Sequence, residues 1–304
     1  MKRMTALVCW CGVAMSGGGA LGVNHAVIVG VDYGRAGQMW APDANNVAAA
    51  LGGQAANWNA ANIIVLSGNG GGVVTAAGIL GAIGAKAAAA AAGDGFLFYY
   101  SGHGSFFDDV LDRERVMGDL INPGRARNAC DETLFVSGGA AGSIGDDALR
   151  TAMNAFNANV NKLAFLDSCF SGGFWNGTDA GDLDLVVNQS LIAAADENST
   201  APGSSNITNN WINWMGTNAF NLQAMNAAAL TGMFNVIKPG AVNNPQQKRP
   251  PGFPEQYDPI FDSFPGAPNH PANAEIWTNT TIPTPGSIAL LSVGAMIVGR
   301  RRRM

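Results

Sequence analysis

The sequence predicts an α/β protein with a mostly parallel sheet and helices on both of its faces. Three observations carry this. Short apolar runs rich in β-branched and aromatic residues occur at 27–31, 63–66, 96–100, 163–167 and 190–195, and they are continuous, as strands buried on both faces are. Stretches of helical length and spacing separate them. Two of the runs stop abruptly at small residues that present one reactive side chain each. They read Phe98-Tyr99-Tyr100-Ser101-Gly102-His103-Gly104-Ser105 and Phe165-Leu166-Asp167-Ser168-Cys169-Phe170-Ser171-Gly172-Gly173.

In chain order, 27–31 is the first strand and 43–51 has the alanine and apolar spacing of a helix. The second strand, 63–66, runs into Ser67-Gly68-Asn69-Gly70-Gly71-Gly72 and then an alanine-rich helix at about 75–92, with Thr75 as its N-cap. A dinucleotide site is looked for in such a place, but the glycine spacing misses the Rossmann fingerprint and no Gly-Lys-Ser/Thr follows. Asp94 also comes before the next strand and not at its end, so the loop reads as a connector. The third strand, 96–100, leads to His103. A charged, irregular excursion follows at 108–131. A helix is expected at 144–157 with Ser143 as N-cap, then the fourth strand at 163–167 and a fifth at 190–195. After a polar loop at 196–210, one tryptophan-rich helix at 211–234 is expected to cover the sheet. Residues 239–282 turn Pro- and Asn-rich with little periodicity and read as a linker. There is no internal repeat.

Composition narrows the function. The chain has 304 residues, 47% hydrophobic and 13% charged, which supports one sizeable core and excludes a disordered protein. Its net charge is -5, but six of the 17 basic residues sit at the two ends, leaving 11 basic against 22 acidic residues between them. Such a body disfavours nucleic acid and suits basic substrates or metal ions.

A strand that ends in Ser-Gly-His-Gly sets an imidazole at the carboxyl edge of the sheet, where open α/β sheets bind ligands. A second strand ending in Asp-Ser-Cys sets a thiol at the same edge. Cysteine attacks as thiolate, and a histidine within reach lowers its pKa and later protonates the leaving group. Alone, Cys169 would read as a small buried hydrophobe and His103 as a hydrogen-bonded core residue. The pairing, with glycines beside both residues, points to a Cys–His hydrolase.

Residues from about 25 to 174 resemble the metacaspases, caspase-like cysteine peptidases of clan CD. The resemblance rests on the opening strand His25-Ala26-Val27-Ile28-Val29-Gly30-Val31-Asp32-Tyr33, on Pro42-Asp43-Ala44-Asn45-Asn46-Val47, on Asp131-Glu132-Thr133-Leu134, and on the two motifs above. Phe170 stands where the family usually has a histidine. The resemblance implies a caspase-like three-layer α/β/α sandwich, with Cys169 as nucleophile and His103 as general base. Backbone N–H groups of Gly104 and Cys169 would hold the oxyanion. It further implies cleavage of peptide or protein substrates after Arg or Lys, the basic side chain being met by Asp43, Ser101 and Asp167. No cofactor is required. Asp119, Asp131 and Glu132 are candidate ligands for an activating calcium ion. A monomer is expected. Two readings stay open beside this one: a legumain- or gingipain-like peptidase of other specificity, and an inactive surface-binding protein on the same scaffold.

The ends read as targeting signals. Residues 1–22 have the charged, apolar and small-residue regions of a secretory signal, and its cleavage would remove Cys9 and Cys11. Of the remaining cysteines, Cys130 is expected to stay unpaired. Residues 283–304 join Pro283-Thr284-Pro285-Gly286, a short apolar run and Arg300-Arg301-Arg302-Arg303, which resembles a PEP-CTERM sorting tail with Thr284 in place of the glutamate. The expected destination is the bacterial cell envelope or the medium.

Overall fold

A computed structural model describes residues 22–33, 40–69, 74–107, 131–136, 142–169, 171–175, 183, 186–195, 206–238 and 275–278. The signal segment, most of the charged excursion with Asp119 and Cys130, Phe170 and the C-terminal tail lie outside them. Among the described residues, no helix is long and apolar enough to cross a membrane.

Six strands form the main sheet in the order β2-β1-β3-β7-β8-β9. They are β1 (Asn24–Asp32), β2 (Trp58–Asn69), β3 (Gly95–Ser101), β7 (Asn161–Asp167), β8 (Gln189–Ala193) and β9 (Glu275–Thr278). The first five are parallel, and β9 is antiparallel to β8. Three short strands, β4 (Gly104–Phe107), β5 (Asp131–Phe135) and β6 (Ser143–Gly145), make a separate antiparallel sheet.

Side chains alternate along each strand, and the two sets build two cores. Val27, Val29, Val31, Phe96, Phe98, Tyr100, Ala164 and Leu166 face α2 (Ala76–Ala89) and α3 (Asp146–Asn154). Ala26, Ile28, Leu97, Tyr99, Leu163 and Phe165 face α1 (Trp40–Gly52), α4 (Asn206–Met215) and α5 (Ala227–Ile237). The α/β/α sandwich is therefore as expected, and the central strands read as unbroken apolar runs because both faces are covered. Thr75 caps α2 as expected, its hydroxyl accepting the Gly78 N–H at 3.0 Å.

Four details differ from the sequence reading. Ser143 is not an N-cap. It pairs with Phe135 in β6, and α3 starts later, behind Gly145, with Asp146 and Asp147 supplying the negative charge that suits a first turn. The single helix expected at 211–234 is two, and Asn226 caps the second by accepting the Ala229 N–H at 2.9 Å. β9 lies in the stretch read as linker, where four residues are too few to show a period. The β4–β5–β6 sheet was also unforeseen, since its pairing joins segments on either side of the excursion.

Asp94 is tied down at the opposite edge from His103. Its carboxylate accepts the Val23 and Ala91 N–H groups at 2.6 and 2.7 Å and lies 3.3 Å from His25 Nε2. That is a structural role, at the amino ends of the strands.

Gly30 sets how closely α1 approaches the sheet. A Cβ at this position would overlap the Trp40 carbonyl oxygen and lie 2.7 Å from the Ala44 Cβ. Gly30→Ala should thus cost about 1–3 kcal/mol through overpacking, read as a Tm several degrees lower by calorimetry. An unchanged Tm would show that α1 shifts freely.

Candidate active site

The site lies where β1, β3 and β7 end together. Gly30 pairs with Ser101, and Ser101 pairs with Asp167, so the three strand ends form one row. Just beyond it, the two motif loops touch. The Gly102 N–H donates to the Asp167 carbonyl at 3.3 Å. The Gly104 α-carbon is pressed against the Cys169 carbonyl oxygen, and a Cβ there would overlap that oxygen and reach 3.1 Å from Ser168 Oγ. Glycine is required at 104 by this approach, not by its backbone angles.

The His103 backbone is anchored to β5 and to two tyrosines, Tyr100 buried and Tyr33 half-buried. Its carbonyl accepts the Phe135 N–H at 3.0 Å and the Tyr100 hydroxyl at 2.9 Å, and its N–H points to Tyr33 Oη at 3.4 Å. Both tyrosine hydroxyls also lie 2.5 Å from the Phe135 carbonyl oxygen. Burial pushes the pKa of Tyr33 and, further, of Tyr100 above the usual phenol value, so both remain donors. Because Phe135 N–H reaches His103, Gly104 and Leu134 face each other as a non-hydrogen-bonded pair. That turns the Gly104 N–H out of the β5 ladder.

The imidazole itself packs against a pair of aromatic rings that also touch each other edge-on. Its centroid is 4.7 Å from that of Tyr33 and 4.5 Å from that of Trp40. The first contact is tilted and the second edge-to-face, and together they fix the plane of the imidazole. His103 and Cys169 are both half-buried, so a substrate can reach them, and Cys169 is a thiol, not half of a disulfide.

On the α1/α4 side of the same edge, alternation directs three carboxylates together. Asp167 follows Leu166 of the opposite core, Asp32 follows Val31, and Asp43 comes from the first turn of α1. The pKa of Asp43 is pushed up to about 7, first by burial and then by the charges of Asp167 and Asp32. The Ser101 hydroxyl acts in the opposite sense, although neither Ser101 Oγ nor Asp43 Oδ2 completes a hydrogen bond among the described residues. Asp32 Oδ1 accepts the Ala41 N–H at 3.2 Å and so holds the start of α1. Asp167 Oδ2 accepts the Thr208 hydroxyl of α4 at 2.5 Å.

The structure thus brings His103, Gly104 and Cys169 together, with Asp43, Ser101 and Asp167 beside them. Of the three calcium candidates, only Glu132 has a described side chain. Glu132 is buried, its carboxyl packed against Gly173 in the short 3-10 turn Ser171–Phe174, and Asp119 lies outside the described residues. No group of three His, Cys, Asp or Glu residues among those described could hold a metal ion. The sequence reading missed Tyr33, Trp40, Asp32 and Thr208. Trp40 and Asp43 stand three apart, as two residues on one helix face do, which was a signal for the pair. Thr208 gives no local signal.

The profile of the metacaspase, peptidase C14 domain matches residues 24–177, just over half of the chain. The chain belongs to the metacaspase family. It is thereby a cysteine peptidase by descent, of the caspase-like α/β kind. No curated protein matches it. A solved protein from Geobacter sulfurreducens shares the fold at 18% identity and a TM-score of 0.53, over 87% of this chain and 96% of that one. Caspase-1 from Spodoptera frugiperda aligns at 12% identity and a TM-score of 0.49, over 86% and 88% of the two chains.

Asp43 links this metacaspase's stability to pH. Its folded pKa lies above the ordinary 3.8, so the native state keeps a proton that the unfolded chain releases between about pH 4 and 7. The stabilisation is full below that window and is lost as pH rises through it. Asp43→Asn should therefore raise the Tm at pH 8 and change it little at pH 4, measured by thermal melts at both. Equal shifts at the two pH values would contradict the assignment.

Proposed function

We propose that the protein is an endopeptidase that cuts after Arg or Lys, with Cys169 as nucleophile and His103 as general base and then acid. The observation that carries this reading is the contact of the His103 and Cys169 loops beside a buried group of carboxylates. In this mechanism the Cys169 thiolate attacks the scissile carbonyl while His103 holds the proton. The Gly104 and Cys169 N–H groups receive the oxyanion, and donors of this type contribute about 3 kcal/mol each. His103 then protonates the departing amine, and water, activated by the same imidazole, hydrolyses the thioester.

Specificity follows from charge. Burying a basic side chain without a partner costs several kcal/mol, and Asp43 with Asp167 offsets that cost. An aspartate at P1 would meet the charge of Asp167 there and no cation to offset it. Purified protein tested on Arg-, Lys-, Asp- and Asn-terminated fluorogenic peptides should cleave the first two. Cys169→Ala and His103→Ala should each lose cleavage, by at least about 1000-fold. Preference for Asp or Asn would support another clan CD specificity, and turnover by Cys169→Ala would overturn the dyad.

Proton and substrate cation compete for Asp43. For Arg peptides kcat/KM should rise with pH through about 7 as Asp43 ionises, mainly through KM. Steady-state kinetics on wild type and Asp43→Asn should show this limb in the first protein only.

The active form is proposed to keep one chain through the region after the nucleophile. From 163 to 237 the sequence has no Lys or Arg, so an Arg/Lys enzyme cannot split itself there. Mass spectrometry of the incubated enzyme should find no cut in that span. A cut there would contradict both the single chain and the basic specificity.

A further inference from the structure

We propose that Thr208, on α4 and outside the family-matched segment, is a positioning residue that fixes Asp167 as the charged wall of the pocket for the substrate's basic side chain. This rests on reading Asp43 and Asp167 as that pocket. Thr208 is fully buried, and its hydroxyl donates to Asp167 Oδ2 at 2.5 Å. Its oxygen lies 2.8 Å from the hydroxyl of Tyr99, which is also fully buried. An ionised carboxylate can only accept, so Thr208 spends its one proton on Asp167, and Tyr99 must donate to Thr208. The proton directions along Tyr99, Thr208 and Asp167 are thereby set by chemistry.

The consequence is a division of labour between two neighbouring carboxylates. Burial alone would protonate either of them, and each discourages the ionisation of the other. Asp167 is stabilised as an anion by a charge-assisted bond from Thr208, while Asp43 Oδ2 has no partner among the described residues. Asp43 is then the member that takes up the proton when no cation is present. The groups facing this pair are Asp32 from the end of β1, Ser101 and Tyr99 from β3, and Thr208 from α4. α4 is held there by Trp211 against Phe165, with ring centroids 4.6 Å apart, so the hydroxyl is placed by the core and not by a loop.

The test uses binding of agmatine, which is decarboxylated arginine and presents its guanidinium side chain, to the full chain by calorimetry from pH 5.5 to 8.5. Readout by binding keeps the result independent of catalysis. Thr208→Val removes the hydroxyl at nearly constant shape and should weaken binding by about 10-fold or more. The pH midpoint should also move upward, because Asp167 now competes for the proton. Thr208→Ser should restore both values. Tyr99→Phe, which leaves the Thr208 donor in place, should move the midpoint in the same direction by less. It also decides the matter if Thr208→Val does not fold. Wild-type affinity and midpoint in Thr208→Val, or an unmoved midpoint in Tyr99→Phe when the valine variant cannot be purified, would overturn the role of Thr208 alone. Failure of the wild type itself to bind agmatine would overturn the pocket reading and this inference with it.

Discussion

The in-register ends of β1, β3 and β7 are the constraint on which the site depends. Because Gly30, Ser101 and Asp167 fall in one row, the residues just past them emerge at one level of the sheet. Alternation then divides them between two faces. On one face Tyr100 reaches the His103 carbonyl and β5. On the other, Tyr99 reaches Thr208, and Asp167 meets Asp43. Two neighbouring tyrosines therefore serve different parts of the same site. A slip of one residue in β3 would exchange their faces and dismantle both parts.

The first turn of α1 joins the two halves. Trp40 lies against the imidazole, and Asp43, three residues on, stands in the carboxylate group. Gly30 lets this turn come close to the sheet, and Asp32 accepts a hydrogen bond from its N-terminal end. The arrangement carries a cost. Three carboxylates share a largely buried region, and Asp43 is held away from its ordinary titration by burial and by like charge. Such crowding destabilises the empty protein and is relieved by a cation, which ties selectivity to instability at the same atoms.

Much of the fold was legible because strand and helix periods are strong, local signals. Each central strand showed as an unbroken apolar run, and Thr75 announced the start of α2. His103 and Cys169 were legible because each ends such a run among small residues. What stayed hidden depends on partners far apart in sequence. β6 displaced the start of α3 because Ser143 and Gly145 are drawn into pairing with β5. Thr208 meets Asp167 across 41 positions, and nothing around it distinguishes it from other threonines near helix starts. The packing of the Glu132 carboxyl against Gly173 was hidden for the same reason, since 41 positions separate the two.

The central claim, that one thiol beside an acidic pocket does the chemistry, is tested most directly by covalent labelling. The protein would be treated with peptidyl acyloxymethyl ketones ending in Arg or in Asp, and the adduct located by tandem mass spectrometry. The account predicts stoichiometric labelling of Cys169 by the Arg reagent, little labelling by the Asp reagent, and none by either once His103 is replaced with Ala. Labelling of Cys130 instead, or faster labelling by the Asp reagent, would contradict it.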